Sequence, residues 1–281
     1  MIREAECRVK KLLISAENAE FQIIQSLKQN RAKRAASGEI FIEGIESIKQ
    51  ALKAGTRITR IITTASISSW AVNLIDEIDH SEKADKPSII QMTDDLYRKL
   101  CDRVDPSEML MTAEMRRLTL GDLELPEKPF VLVLDRSSDT GNLGSIIRSA
   151  NSFAVDAVLL IGHGVDLWDP KTIRASLGSV FFTKVVPLES LGELEGFIAS
   201  MKAACGLDVW GTDSGGERSL VTTALKRPLM LILGNEAKGI SVALKKLCDG
   251  IIGIPVHGAV NSLNLASAAS IFMWEVYRNG E

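Results

Sequence analysis

The sequence predicts an α/β protein with a mostly parallel sheet in its second half, preceded by a smaller alternating α/β domain. Apolar runs recur at 130–134, 155–161, 209–212, 229–233 and 251–254, separated by stretches with helical spacing. Near-continuous apolar strands alternating with helices are what a parallel sheet covered on both faces requires. Polar, glycine-bearing blocks at 141–148, 234–239 and 254–264 follow three of these runs. They therefore fall at the carboxyl ends of strands, where open parallel sheets bind ligands. The texture also changes at 118–129, which mixes acids with Pro126 and Pro129 and reads as a linker.

Along the chain, 16–29 suits an amphipathic helix, with Phe21, Ile24 and Leu27 at spacings of three and Ile23 widening the stripe. Lys28, Arg31, Lys33 and Arg34 come next, four basic residues in seven with no acid. A solvated helix end and a phosphate-contacting arm both account for such a run. Residues 1–38 carry eight basic and four acidic side chains, net +4, which leaves −7 for the remainder of a chain whose net charge is −3. Residues 40–42 read as a strand, 44–54 as a helix ended by Gly55, and 58–63 as a second strand. The expected organisation is a basic N-terminal helix and arm at 1–37, a small α/β domain at 38–117, the linker at 118–129 and the larger domain at 130–281.

The first polar block has Asn142 as a candidate helix N-cap, with Gly141 and Gly144 allowing close backbone approach. In the helix that follows, Leu143, Ile146, Ile147 and Ala150 form an apolar stripe, and Arg148 lies on the opposite face with Ser145, Ser149 and Ser152. A solvated arginine and an anion contact are both open at that position. In the second block, Gly234, Asn235 and Glu236 place a carboxylate just beyond a very apolar strand, where a plain Gly-Asn turn is the alternative. In the third, Pro255 stops a strand, Gly258 and Asn261 lengthen a loop, and Ser262 opens a helix from about 263 to 277. That helix is apolar nearly all round, so it is expected to be buried, against its own sheet or a second subunit.

Composition and spacing exclude several alternatives. Hydrophobic residues make up 46% and charged residues 25%, ordinary globular values, and a 281-residue chain can hold one large or two ordinary domains. No apolar run reaches the roughly 18 residues of a spanning helix, and the opening residues do not read as a secretory signal, so a cytoplasmic protein is expected. Four scattered cysteines and three scattered histidines offer neither a disulfide framework nor a zinc site, so no metal is expected. Gly162 and Gly164 lack the third glycine of a dinucleotide fingerprint, and no phosphate-loop or Gly-x-Ser-x-Gly pattern is present.

Taken together, the three blocks resemble the SpoU/TrmH family of RNA ribose 2′-O-methyltransferases, a branch of the SPOUT superfamily. Asn142 with Arg148 is similar to that family's first motif, and Gly234-Asn235-Glu236 with Gly239 to its second. Ile254-Pro255, Gly258 and Ser262-Leu263-Asn264 are similar to its third. The stretch from Gly162 to Lys171, continuing through Arg174-Ala175-Ser176 and Gly178-Ser179, is similar to family members that act on 23S ribosomal RNA, as are Asn18-Ala19-Glu20-Phe21 and the 31–34 run. The resemblance is strong over 130–277 and looser before it.

The resemblance implies a SPOUT α/β-knot catalytic domain with a C-terminal trefoil knot, preceded by a small α/β RNA-binding domain. It implies S-adenosylmethionine as cofactor, RNA as partner, and a homodimer with its active site at the subunit interface. Carried over residue by residue, cofactor contacts fall on Gly234, Ile254 and Leu263, with Thr212 added. Arg148 takes the role of the catalytic arginine, offered across the dimer, while Asn142, Glu236, Ser262 and Asn264 shape the catalytic site. Lys28, Arg31, Lys33 and Arg34 become the RNA contacts. Val256, Asn261 and Ala266 depart from the family's common residues and leave the polar catalytic positions filled. The implied reaction is methylation of a ribose 2′-hydroxyl in 23S ribosomal RNA, with transfer RNA as an alternative substrate and a non-catalytic RNA-binding protein as an alternative function.

Overall fold

The computed structural model describes residues 9–80, 85–102, 106–257 and 262–280. The chain divides into two units: Met1–Arg116 with Trp168–Arg174, and Arg117–Leu167 with Ala175–Glu281.

The first unit contains β1 (Lys11–Ile14), α1 (Ala19–Gln29), α2 (Arg31–Ser37), β2 (Glu39–Glu43), α3 (Ile45–Lys53), β3 (Ile58–Thr63), α4 (Ser69–His80), β4 (Ser88–Met92), α5 (Asp94–Leu100) and β5 (Met109–Glu114). Its sheet has the order β1-β4-β3-β5-β2. β1, β4 and β3 run parallel, and β5 is antiparallel to both its neighbours. Helix α1 starts where Asn18 accepts a hydrogen bond from the Phe21 amide at 3.0 Å, the usual way an N-cap satisfies a first-turn donor. Its stripe of Phe21, Ile24 and Leu27 is buried in one core with Ile14, Phe41, Ile62, Ile90 and Leu110. Residues 11–37 are thus structural members of this unit.

That burial extends to part of the expected RNA-contact set. The run 28–34 ends α1 and forms α2, with Asn30 capping the new helix through the Lys33 amide at 3.1 Å. Arg34 is 2% exposed, donates to the Leu27 and Lys28 carbonyls at 2.8 and 3.1 Å, and pairs with Asp169 at 3.5 Å. Lys28 is tied to Asp102 at 2.7 Å with its side chain largely covered. Both are held by partners within the unit. Arg31 and Lys33 are exposed. Glu43, fully buried, is satisfied by Arg174 at 2.7 Å and by the Asp102 amide at 3.0 Å.

The second unit contains β6 (Phe130–Asp135), α6 (Thr140–Ser152), β7 (Ala157–Ile161), the end of α7 (Pro170–Ala175), β8 (Val185–Pro187), α8 (Leu191–Cys205), β9 (Asp208–Thr212), β10 (Arg218–Ser219), β11 (Leu229–Leu233), α9 (Val242–Lys245), β12 (Gly250–Gly253) and α10 (Leu265–Arg278). All its strand pairs are parallel, in the order β10-β12-β9-β11-β6-β7-β8. The sheet therefore has seven strands where five were expected; β8 and β10, of three and two residues, are too short to show periodicity. Every residue of β6 and β11 is buried, which explains their unbroken apolar sequences. Val131, Val133, Met230 and Ile232 share a core with Leu194 and Ile198 of α8.

Two helix starts differ from expectation. Asp139, not Asn142, caps α6, accepting from the Asn142 amide at 2.7 Å. Asn264, not Ser262, caps α10, accepting from the Ala266 and Ser267 amides at 2.9 and 3.3 Å. Helix α10 packs on α6 and buries Ala269, Phe272, Met273 and Val276, but its other side is open: Ile271 is 40% and Trp274 50% exposed. No helix among the described residues is long and apolar enough to cross a membrane.

Candidate functional site

The order of strands fixes where a ligand can sit. The chain lays down β6, β7 and β8 outward to one edge, returns to β9 and β10, and only then inserts β11 between β9 and β6 and β12 between β10 and β9. At the carboxyl ends of β9, β11 and β12 the connections diverge, leaving a cleft of about 780 Å³. Thr212, Gly234 and Ile254 line it from the strand ends, Asn142 from α6, and Ser262, Leu263 and Asn264 from the approach to α10. Every residue expected to shape the catalytic site or contact cofactor, Glu236 included, is brought together here except Arg148. Gly258 and Asn261 lie outside the described residues.

A hydrogen-bond chain links the three sequence blocks. Ser138 donates to Glu236 Oε2 at 2.6 Å, Asn142 Nδ2 donates to Glu236 Oε1 at 3.1 Å, and Asn264 Nδ2 donates to Asn142 Oδ1 at 2.9 Å. Because Asn264 Oδ1 is committed to its helix cap, both ends of that amide have assigned roles. Burial works against ionisation of Glu236, but the Ser138 hydroxyl, the Asn142 amide and backbone donors outweigh it and hold the carboxyl below the usual glutamate range. The cleft thus carries a fixed anion whose two oxygens are both oriented.

The Gly234–Gly239 loop is held just as closely. Asn235 and Gly239 exchange backbone hydrogen bonds at 3.1 and 2.9 Å, and Asn235 Oδ1 accepts from the Ala237 and Lys238 amides at 3.0 and 3.2 Å. A Cβ on Gly234 would lie 2.1 Å from the Gly239 carbonyl carbon and 2.2 Å from the Ile240 nitrogen, so only glycine fits there. Thr212 Oγ1 donates to the Ile232 carbonyl at 3.2 Å, which stitches β9 to β11 beneath the cleft.

Sequence reasoning missed Asp213, Ser214 and Ser138. Asp213 lines the cleft with Ser214, and the Lys245 ammonium at 2.8 Å, helped by the Gly215 amide, holds its carboxyl below the usual aspartate range. The signal available was position: Asp213 directly follows a strand, as Glu236 nearly does. Arg148 is exposed on α6 and does not line the cleft. Six residues beyond Asn142, its Cα is about 9 Å further along the axis and roughly 120° around it. Among the described residues there is no cluster able to hold a metal ion.

An interleaved parallel sheet with a polar, glycine-lined cleft at its carboxyl edge defines an α/β protein built to hold a polar organic ligand at its strand ends. Comparison with known proteins supplies the particular family. Residues 129–274 match the SpoU rRNA methylase family and residues 18–112 match the SpoU L30e-like domain. The chain is 32% identical over 269 residues, 94% of its length and 91% of the relative's, to the 23S rRNA (uridine(2479)-2′-O)-methyltransferase of Streptomyces viridochromogenes. It is 26% identical to the 23S rRNA (guanosine(2553)-2′-O)-methyltransferase RlmP of Bacillus subtilis, over 92% of this chain and 98% of that one. Among solved structures, the SpoU methyltransferase AviRb of Streptomyces viridochromogenes in complex with AdoMet superposes with a TM-score of 0.83 at 32% identity, covering 93% of this chain and 98% of that one. An AdoMet-bound rRNA methyltransferase from Sinorhizobium meliloti gives 0.82 at 26% identity, covering 95% and 98%. This chain belongs to the SpoU rRNA methylase family.

Proposed function

We propose that the protein is an S-adenosylmethionine-dependent RNA methyltransferase that modifies a ribose 2′-hydroxyl in 23S ribosomal RNA. The observation that carries this reading is the chain Ser138–Glu236–Asn142–Asn264 beside a glycine-walled cleft, in a protein 32% identical to a family member solved with AdoMet. The cleft is roomy enough for a nucleoside-sized ligand. Its wall at Gly234 and Gly239 is backbone, its floor includes Ile254 and Leu263, and its carboxylates at Glu236 and Asp213 suit a ligand bearing a sulfonium and an ammonium. The interleaved insertion of β11 and β12 supports a knotted path of the family's kind. The first unit, which matches the L30e-like domain, is the RNA-binding domain in this reading, with Arg31 and Lys33 as phosphate contacts.

The protein works as a homodimer in which Arg148 of one subunit completes the cleft of the other. Two observations support that arrangement. Arg148 is exposed and outside its own cleft, and the open side of α10 exposes Ile271 and Trp274, the latter in a cluster with Phe153 and Tyr277 whose ring centroids lie 5.9 to 6.0 Å apart. An exposed aromatic face on an element that also lines the site is suited to a symmetric interface.

Bound S-adenosylmethionine supplies an activated methyl group for in-line displacement by the ribose oxygen. The protein's task is alignment, which can supply much of the rate. Asn142, Ser262 and Asn264 present amide and hydroxyl groups at the cleft mouth, and Glu236 fixes Asn142. A guanidinium is a poor general base because it stays protonated in proteins. Arg148 instead binds the adjacent phosphate and stabilises the developing alkoxide, and the proton leaves through water or a neighbouring group.

The test is transfer of labelled methyl from S-adenosylmethionine to unmodified large-subunit ribosomal RNA, with transfer RNA in parallel and ribose methylation mapped. Label in ribosomal RNA that Arg148→Ala abolishes is the expected result. Label confined to transfer RNA replaces the substrate, and no transfer despite cofactor binding leaves a non-catalytic RNA-binding protein. Mixing Arg148→Ala with Gly234→Ala subunits tests the shared site: heterodimers regain activity if Arg148 acts across the interface and stay inactive if it acts within one chain.

A further inference from the structure

We infer that Asp135 and Arg136, at the end of β6, are positioning residues that set the shape of the cofactor loop 234–241. The inference rests on the assignment of the cleft to S-adenosylmethionine and adds to it a pair outside the three motif blocks.

The pair is built in at a cost to the backbone. Arg136 has φ +52, a left-handed conformation that disfavours any residue with a Cβ. It holds this conformation because its amide donates to the Ile161 carbonyl at 2.9 Å while its own carbonyl turns to accept from Asn235 Nδ2 at 2.8 Å. The side chain then folds back on its neighbour. Arg136 Nε and one terminal nitrogen donate to the two oxygens of Asp135 at 2.8 and 2.9 Å, a two-pronged pairing. That folding needs Gly162, since a Cβ there would lie 2.7 Å from Arg136 Cγ.

Each member of the pair also reaches the loop. Asp135, 3% exposed, accepts from the Ser241 amide at 2.8 Å, and Arg136 donates to the Gly239 carbonyl at 3.3 Å. With the Asn235 bond, the end of β6 and the residue after it therefore grip the loop at its beginning, at its glycine turn and at its last residue. The gripped loop supplies Gly234 through Gly239, Glu236 among them, to the lining of the cleft. Ser138, two residues on from Arg136, holds Glu236 itself, so the loop's frame and its carboxylate are set from one strand end.

A positioning role of this kind separates cofactor affinity from turnover. Arg136→Gly relieves the left-handed strain but leaves the buried Asp135 carboxylate without its forked partner, so the cofactor-free protein should melt lower yet remain folded. Loss of charge-assisted bonds to a loop that must be held in shape should weaken S-adenosylmethionine binding about tenfold. Arg136→Lys keeps the charge beside Asp135 but cannot make the forked pairing and reach Gly239 together, so it should fall between the two.

Calorimetric titration of S-adenosylmethionine into the full-length wild type, Arg136→Gly and Arg136→Lys, with melting curves of each and KM and kcat on RNA, tests the inference. The expected result is graded loss of affinity and a raised KM for S-adenosylmethionine, with kcat and KM for RNA nearly unchanged and each free protein folded at the assay temperature. Equal affinity in all three proteins overturns the inference and leaves the cofactor assignment standing. A fall in kcat or a rise in KM for RNA that matches the loss of affinity also overturns it, since the pair would then be merely structural. No binding by the wild type overturns the cofactor assignment and this inference with it.

Discussion

Asn264 offers the sharpest test of the hydrogen-bond chain, because one side chain performs two separable tasks. Its Oδ1 caps α10 and its Nδ2 donates to Asn142. Asn264→Ala removes both, and loss of the cap alone should cost about 1 kcal/mol. For a protein of this size that lowers the melting temperature by roughly 2–4 °C. Asn264→Asp retains the cap, since aspartate is as good an N-cap as asparagine, and the helix N-terminus favours its charge. It does, however, place an acceptor where a donor stood, 2.9 Å from Asn142 Oδ1. Asn142 must then either face that carboxylate with its own oxygen or flip and present oxygen to Glu236. In either case the link is broken. Melting of Asn264→Asp should stay within about 1 °C of wild type, while methyl transfer falls at least about tenfold, less than the roughly hundredfold that losing a preorganised donor in direct contact with the reacting atoms costs. The assay pairs calorimetric melting with single-turnover methyl transfer on ribosomal RNA. If Asn264→Asp transfers methyl within twofold of wild type at unchanged stability, the chain is structural and the reasoning is refuted.

Four further outcomes follow from the same geometry. Gly234→Ala forces a Cβ into backbone atoms and should cost about 1–3 kcal/mol and abolish S-adenosylmethionine binding, read by chemical denaturation and calorimetry. Arg34→Ala removes a buried donor to two carbonyls and should cost about 2–3 kcal/mol in denaturant melts. The exposed pair Arg31→Ala with Lys33→Ala should leave stability within about 0.5 kcal/mol but make the salt dependence of RNA binding shallower by about 1.5 in log–log slope. Glu236 has a lowered folded pKa, so the stability it contributes is present above the ordinary glutamate range and is lost as pH falls through its folded value. The stability gap between wild type and Glu236→Gln should therefore be widest at neutral pH and close in acid; a gap independent of pH would refute the assignment.

How much was legible in the sequence depended on whether the signal was local. The buried strands at 130–134 and 229–233 announced themselves because both faces are covered and the whole run is apolar. The cleft residues were legible because they follow strands, and the motif resemblance narrowed them to particular positions. What the sequence concealed was decided by partners far away in the chain. Four basic residues in seven look alike, yet Lys28 and Arg34 are covered and pair with Asp102 and Asp169, whereas Arg31 and Lys33 are exposed. Asp139 and Asn142 are both good caps, and only the backbone path shows that the first caps α6 while the second bridges Glu236 and Asn264. Arg136 carried no signal at all, because a left-handed arginine beside an aspartate has no distinctive pattern in one dimension.

The late insertion of β11 and β12 has a consequence for how the molecule comes into being. A sheet of this order cannot be zipped up from one side as the polypeptide emerges; β6 must wait with an apolar edge unsatisfied until a partner made about a hundred residues later arrives. During that interval Phe130-Val131-Leu132-Val133-Leu134 is a sticky template for any neighbouring chain, and pairings so remote in sequence form slowly. In return, no partly made protein can mimic the finished one. The ligand cleft draws on β11, β12 and the start of α10, the last pieces to be joined, so binding competence and completion of the fold are the same event.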